Sequence, residues 1–361
     1  MYKICHLQIT NIDFMPRVWR EAVSAKESGY TVCVIGYGES TERYGISYFG
    51  VEPYNSRLKN FFLVTRRMVR EAMDTNAEII QFHSPIFLLY AKKLKKMGKI
   101  VIFDSHENYP VQILGKTYIP AVLRKIVSKS YSAYESRICK QIDAVLYPCT
   151  FDGKNIFEGR SKRSVKIENY SKKIASKPSK REYRAIYAGA ITEARGALTM
   201  AEACIEAKCP LVFCGSVNDK KLEERLLSFG REKVALLGMK TREQLFELYQ
   251  SSYIGLSLLK PEGQYACCDN MSTKIYEYMQ CGLPVVLANF SYAKRQNEKH
   301  HFGITVDPNN IDEIANAIKY LLNNPDEAIR MGENGKKAIK KEYNWATQQE
   351  KLIDLYTELL K

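Results

Sequence analysis

The sequence predicts an α/β protein made of two doubly wound, parallel-sheet, Rossmann-like domains in tandem. Three observations lead there. Short continuous apolar runs rich in Val and Ile recur along the chain, amphipathic helical segments separate them, and the alternation stops once mid-chain and then restarts. At 361 residues the chain exceeds one ordinary core. Its 45% apolar and 26% charged residues are ordinary for a globular protein that buries its core without crosslinks or metals.

In chain order, the first strands are read in "YKICHLQI", "TVCVIG", "AEIIQFH", "KIVIFDSHE", "DAVLYPC" and "VKIEN". Helices fall between them in "VWREAVSAKESG", "NFFLVTRRMVREAM", "PIFLLYAKKLKKMG" and a long segment from Pro120 to about Gln141. Continuous apolar strands separated by helices mean a parallel sheet covered on both faces. Residues 170–184, "YSKKIASKPSKREYR", are basic and aperiodic and hold Pro178, as a linker does. The strands resume in "AIYAG", "PLVFCG", "KVALLG", "YIGLSLL", "LPVVLA" and "FGITVD". The expected division is a first domain over 1–170, a linker over 171–183 and a second domain over 184–344. No strand follows the closing helix, 345–361, so it is expected to pack back on the first domain. Ligands of such sheets bind at the carboxyl ends of the strands, so a facing pair would share a cleft.

Fifty-four basic against forty acidic residues leave a charge of +14. That excess suits an anionic partner such as a nucleotide or an acidic lipid, and equally a merely solvated basic surface. A nucleic acid is disfavoured because there is no aromatic-interleaved basic motif. The ten cysteines form no CxxC pair and lie mostly in apolar stretches, which reads as buried reduced thiols. Without a signal-like h-region or a membrane-length apolar run, the expected location is cytoplasmic, at most peripheral to a membrane.

Residues 267–286, "CCDNMSTKIYEYMQCGLPVV", place Asp269, Lys274 and Glu277 on the approach to, and first turns of, a helix that leads into a buried strand. Lys274 and Glu277, three apart, face one side of that helix, and Ser272 or Thr273 is a candidate cap. A helix N-terminus beyond a strand's carboxyl end attracts phosphate, Lys274 adds a full charge, and Glu277 can accept bonds from two ribose hydroxyls. An isolated Lys–Glu pair would more often be an exposed surface pair.

This pair is not isolated. "STKIYEYMQCGLPVVLAN" resembles the nucleotide-binding signature of the GT4 family of retaining glycosyltransferases, in the branch with a Lys-x-x-Glu-Tyr-Met motif. "RVWREAVSAKESGYTVCVIG", "FDSHENYP", "YAGAITEARG" and "YNW" resemble further motifs of that branch in the right order. The resemblance implies the GT-B fold. It also implies that Glu277 binds the donor ribose, that Lys274 lies near the diphosphate, and that Asp269 lies near the transferred sugar, where the family has glutamate. Arg195, opening a helix with Gly196, would hold diphosphate oxygens through two parallel bonds. Gly189-Ala190 stand where the family often has Gly-Arg, so Arg195 and Lys274 would carry more of the leaving-group charge.

His106, just past the run "KIVIF", is placed at the carboxyl edge of the first sheet, with Asp104 and Glu107 near enough to orient it. By resemblance it faces donor sugar or acceptor, with Glu107 beside it; the plain reading is a histidine bonded to backbone. His83, one strand earlier, and Arg17, assigned to the loop after the first strand, are acceptor-side candidates. Gly238 and Met239 are expected to read the base through their backbone. The segment 118–141 puts Ile119, Val122, Leu123, Ile126, Val127 and Tyr134 on one helical face opposite Arg124, Lys125 and Lys129. That pattern suits an anionic membrane surface or, as readily, a helix packed on its own sheet.

The expected activity is retaining, metal-independent transfer of a hexose from a nucleotide-diphosphate donor, UDP favoured over GDP. The expected acceptor is a saccharide or lipid-linked hydroxyl in bacterial surface-polysaccharide assembly, and no cofactor is required. A nucleotide-sugar epimerase or hydrolase of the same fold, or a basic nucleic-acid-binding protein, are the alternatives.

Overall fold

The computed structural model describes residues 2–116, 118–171, 180–262 and 267–361. Most of the linker expected over 171–183, namely residues 172–179, lies outside them. The chain divides into two compact units, Met1–Asn169 with Ala346–Lys361, and Tyr170–Trp345.

Unit 1 carries the strands β1 (Ile4–Asn11), β2 (Val32–Tyr37), β3 (Thr41–Arg43), β4 (Ile46–Val51), β5 (Ile79–Phe82), β6 (Ile100–Asp104), β7 (Ala144–Tyr147) and β8 (Ser164–Lys166). Their order is β3-β4-β2-β1-β5-β6-β7-β8, parallel apart from the β3–β4 hairpin. That hairpin was not read from the sequence. Its signal was Tyr44-Gly45, both at positive φ, which a two-residue hairpin turn needs. The helices are α1 (Pro16–Glu27), the short α2 (Arg57–Lys59) running through a π turn into α3 (Thr65–Asp74), α4 (Leu88–Lys96), α5 (Tyr109–Leu114) and α6 (Ala121–Cys139). The core under α3, α4 and the end of α6 is apolar, with Met68, Phe82, Leu88, Phe103 and Cys139 fully buried. Counted outward from β1, the parallel strands leave a topological switch between β1 and β5, where chains diverge to opposite faces and a crevice opens.

Unit 2 holds β9 (Ala185–Ala188), β10 (Leu211–Cys214), β11 (Val234–Leu236), β12 (Ile254–Ser257), β13 (Val285–Ala288) and β14 (Gly303–Val306). Their order, β11-β10-β9-β12-β13-β14, is the 3-2-1-4-5-6 arrangement of a Rossmann sheet, with its switch between β9 and β12. The helices α7 (Ala197–Glu206), α8 (Lys220–Leu227), α9 (Arg242–Ser251), α10 (Thr273–Gln280), α11 (Ser291–His300), α12 (Ile311–Asn323) and α13 (Pro325–Lys341) cover it. Every residue of β9, β10, β12 and β13 is buried, which is why these strands read as unbroken apolar runs.

The last helix, α14 (Trp345–Leu359), returns to unit 1. Leu352, Leu355 and Tyr356 are buried, the Tyr356 hydroxyl donates to Gln81 Oε1 at 2.6 Å, and Gln348 Oε1 accepts from the Glu168 amide at 2.9 Å. Among the described residues no cysteine is in a disulfide, and eight of the ten are buried. No helix among them is long and apolar enough to cross a membrane.

Candidate active site

In unit 2 the site forms around Gly189, just past the end of β9. A methyl group placed on this glycine would lie 3.3 Å from Arg195 Nη1 and 3.4 Å from Lys274 Cε. Two cations therefore converge on one point at the switch. Arg195 closes a 3-10 turn (Glu193–Arg195) whose next residue, Gly196, is left-handed at φ 76. A side chain there would press within 2.3 Å of the Leu258 carbonyl oxygen, so only glycine lets the Arg195 loop lie against the residue that follows β12. The Lys260 amide, bonded to the Ala194 carbonyl at 2.9 Å, stitches the same approach.

Lys274 sits one residue into α10 and is 6% exposed. Its Nζ donates to Ser272 Oγ at 3.0 Å and lies 4.8 Å from the centre of the Tyr187 ring. Ser272 precedes the helix, as the sequence suggested, but its hydroxyl holds Lys274 and makes no cap bond. Burial, then repulsion from Arg195, lower the Lys274 pKa to about 7, with Glu277 opposing. This lysine is kept short of a counter-charge. An anion at Gly189 would supply one, and a helix start, where the first amides lack carbonyl partners four residues back, favours negative charge. Of the first-turn amides of α10, that of Ile275 bonds the Ser272 carbonyl at 2.9 Å.

Glu277, one turn on, accepts from the Tyr249 hydroxyl at 3.2 Å and from Ser171 Oγ at 3.5 Å. Arg242 Nη2 lies 3.8 Å from Glu277 Oε1, the oxygen that Ser171 also reaches. Tyr249 and Arg242 both come from α9, whose role the sequence did not signal. Asp269 lies 3.4 Å from Arg295 Nη2 and is 13% exposed at its side chain. Gly238 follows β11 at φ 67 and its carbonyl accepts from the Gly215 amide at 2.9 Å. Met239 is exposed.

In unit 1 three of the sequence candidates, Arg17, His83 and His106, join one network around the buried Asp104. Asp104, fully buried at the end of β6, accepts two bonds from Arg17, Nε at 2.7 Å and Nη2 at 2.8 Å. The same Oδ2 takes His83 Nδ1 at 3.0 Å and His106 Nε2 at 3.0 Å. Arg17 is therefore not a loop residue. It is the second residue of α1, 5% exposed, and its Nη1 is spent on the Ile167 carbonyl at 2.9 Å. The carboxylate that orients His106 is Asp104; Glu107 accepts from Gln112 Nε2 at 2.6 Å.

The tautomers follow from this network. Asp104 takes the Nδ1 proton of His83, so His83 Nε2 carries a lone pair. That lone pair accepts from His6 Nδ1 at 2.9 Å. His6 Nε2, left as an acceptor, has no partner among the described residues. His106 gives its Nε2 proton to Asp104, which leaves its Nδ1 lone pair for a hydroxyl donor. Glu21, accepting from Gln81 Nε2 at 2.6 Å and 3.1 Å from Arg17 Nε, completes the set. His6, Glu21 and Gln81 were missed in the sequence. For His6 and Gln81 the signal was a polar residue inside a buried apolar strand, as in "ICHLQI" and "IIQF"; Glu21, in α1, gave no such signal.

His83, Asp104 and His106 bring ligand atoms within 4.8 Å of one another, as do His6, Glu21 and His83. Both Asp104 oxygens already face Arg17, so a metal ion there would sit beside a guanidinium. The donor set fits a hydrogen-bond network better than a cation. Burial works against the Asp104 charge, but Arg17 and then His106 hold its pKa well below the usual range. Burial likewise lowers His83 from 6.5 to about 4 and lowers His6. Burial and then Asp104 raise Glu21.

These shifts oppose each other in stability. Unfolded His83 takes a proton near pH 6.5 and folded His83 only near 4, so its contribution is full above 6.5 and lost as pH falls to about 4. Glu21, raised, contributes below its ordinary 4.5 and loses that as pH rises. In a Glu21→Gln variant the histidine effect stands alone. Unit 1, followed through Trp19 fluorescence in a Trp345→Phe background, loses on the order of 3 kcal/mol between pH 6.5 and 4 through His83, and a further amount of the same sign through His6. Adding His83→Gln removes the His83 share of that slope, and His6→Gln with His83→Gln removes most of it.

Comparison with solved structures places this architecture. The sucrose-phosphate synthase of Thermosynechococcus elongatus superposes with a TM-score of 0.77 at 15% identity, covering 100% of this chain and 99% of that one. Anabaena HepE in complex with UDP and glucose superposes at 0.75 and 14% identity, covering 99% and 100%. The fold is that of the GT-B glycosyltransferases. In this GT-B chain, residues 169–338 match the family model described as glycosyl transferases group 1. That segment contains Arg195, Asp269, Lys274 and Glu277. A GDP-mannose-dependent alpha-(1-6)-phosphatidylinositol monomannoside mannosyltransferase of Mycobacterium tuberculosis (strain CDC 1551 / Oshkosh) is 31% identical over 78 residues. The match spans 22% of this chain and only 20% of that relative.

Proposed function

We propose that the protein is a retaining, metal-independent glycosyltransferase that moves a hexose from a nucleotide-diphosphate donor to a saccharide or lipid-linked hydroxyl. The observation that carries this reading is the convergence of Arg195 and Lys274 on Gly189, beside Glu277, at the β9–β12 switch of unit 2. A diphosphate at that point meets a guanidinium, a buried lysine and a helix N-terminus. Glu277, fixed by Tyr249, is one turn away for the ribose hydroxyls.

In the reaction the anomeric carbon–oxygen bond to the β-phosphate breaks and the acceptor oxygen bonds to the anomeric carbon. The acceptor proton passes to the departing phosphate oxygen on the same face, which preserves configuration. Charge builds on the leaving group, so catalysis is chiefly electrostatic and falls to Arg195 and Lys274. They do the work that a divalent ion would do elsewhere. Asp269 lies toward the sugar, and His106, with Nδ1 open, accepts a hydrogen bond from a sugar or acceptor hydroxyl. Gly238 and Met239 offer backbone groups to the base. HepE was solved with UDP and glucose, which supports UDP. The mycobacterial relative is named for GDP-mannose. A glycosyltransferase of the same fold, WaaG, is involved in lipopolysaccharide biosynthesis, in line with a role in surface-polysaccharide assembly.

The test is to incubate UDP- and GDP-hexoses with saccharide and polyprenyl-phosphosugar acceptors and follow the product by NMR. A new glycoside with the donor's anomeric configuration supports the proposal. Nucleotide release that needs no acceptor, or inverted product, contradicts it. Glu277→Ala is expected to weaken nucleoside diphosphate binding by about 1–3 kcal/mol, measured by calorimetry, and to leave affinity for inorganic diphosphate nearly unchanged.

A further inference from the structure

Unit 1 exposes apolar side chains that its own fold does not need. Helix α6 is 19 residues long, roughly 28 Å, while β6 and β7 beside it have 5 and 4 residues, roughly 17 Å or less. Its last turns lie on the core through Tyr134, Ile138 and Cys139. Its first turns overshoot the sheet and are held by α5, where Ser128 Oγ donates to the Pro110 carbonyl at 2.7 Å. The apolar stripe read from the sequence is thus split in two. Tyr134 packs inward, whereas Val122 is 82% and Ile126 60% exposed.

A second segment, of which the sequence reading took only residues from Asn60 onward for part of a helix, does the same. Between β4 and α3, α2 and the π turn present Leu58 at 72% and Phe62 at 60% exposure. The two segments border one rim. Residues 57–63 lead into the N-terminus of α3 and residues 118–129 span the N-terminal turns of α6, and α4 comes between these two helices in the chain. Thr65 Oγ1 is 3.0 Å from Tyr90 Oη, joining α3 to α4, α4 packs against α6, and Leu89 between them is 51% exposed.

The charge on this rim has one sign. The stretches 53–70 and 108–134 contain no aspartate or glutamate, but five and four lysines and arginines respectively. Arg57, Lys59, Lys125 and Lys129 are exposed. A face that mixes apolar and only basic side chains repels a second copy of itself and suits an apolar layer bounded by negative charge.

We propose that the rim formed by residues 57–63 and 118–129 of unit 1 docks on an anionic lipid bilayer, Leu58, Phe62, Val122 and Ile126 entering the acyl boundary and the basic residues meeting headgroups. This does not depend on the transferase reading, because it is tested without donor or acceptor. The experiment is co-sedimentation of the full chain with vesicles of phosphatidylcholine alone or with a minor fraction of phosphatidylglycerol, at ~0.1 M salt. The wild type partitions onto the anionic vesicles at least about tenfold better than onto the neutral ones, and high salt weakens this. Val122→Glu with Ile126→Glu, and separately Phe62→Glu, each lower partitioning about tenfold or more. Lys125→Glu with Lys129→Glu does so without touching an apolar residue. All positions are exposed, and unchanged thermal melts confirm folding. No partitioning of the folded wild type, or variants that bind as well as it does, overturns the proposal. So does a solution dimer that Ile126→Glu dissociates, since a second copy is then the occupant.

Discussion

Lys274→Met is expected to lower kcat by about 10²–10³-fold while raising the stability of unit 2 by about 1–2 kcal/mol. The two effects share one cause. Lys274 is buried beside Arg195, with its pKa brought down to about 7, so its charge costs the free fold and is stabilised only when an anion arrives. Methionine keeps the length and the packing against Tyr187 and removes the charge. Turnover assays and thermal melts of the pair decide this. A variant that loses activity and stability together would make Lys274 a structural residue, and one that keeps its activity would remove it from the leaving-group site. The same geometry sets a pH dependence. The protonated lysine binds the diphosphate, so nucleotide affinity falls as pH rises above about 7, and binding near neutrality takes up a proton.

Asp104→Asn is expected to destabilise unit 1 by about 3–5 kcal/mol, because it strands the buried Arg17 charge. The carboxylate is fully buried and takes four bonds from Arg17, His83 and His106. An amide cannot accept all of them: its NH₂ group meets the Arg17 Nη2 donor in one orientation and three donors in the other. His106→Gln is expected to differ. His106 sits at the edge of the network with its side chain 26% exposed, so that variant keeps its denaturation midpoint and loses turnover. Denaturant unfolding separates the two. Equal destabilisation by both variants would mean that His106 serves the fold rather than the chemistry.

The fold was legible because it rests on strands buried on both faces. "AIYAG", "PLVFCG" and "LPVVLA" have no polar residue to place, and each became a fully buried strand. The β3–β4 hairpin was not legible in the same way, since its alternating, half-buried residues resemble a loop between helices. In the site, Lys274 and Arg195 were readable from local spacing, each at a helix start after a strand. Their convergence on Gly189 was not, since it joins residues far apart in sequence. Arg17 was misplaced in a loop because the helix was read only from Val18, whereas α1 begins at Pro16. Proline is in fact well suited to the first position of α1. His6 and Gln81 stayed hidden because a single polar residue in an apolar run declares itself only when its partners are known, and Glu21 because an acid beside Arg20 on an amphipathic helix reads as part of its outer face.

The most direct measurement is calorimetric titration of UDP and GDP into the wild type and Lys274→Met near pH 7, in two buffers of different ionisation enthalpy. The account predicts that the wild type binds one of the nucleotides with net proton uptake. Lys274→Met should bind it about tenfold or more weakly, with the proton uptake abolished. Binding of neither nucleotide by the folded wild type, or binding that Lys274→Met leaves unchanged, would contradict the claim that Arg195 and Lys274 form the diphosphate site.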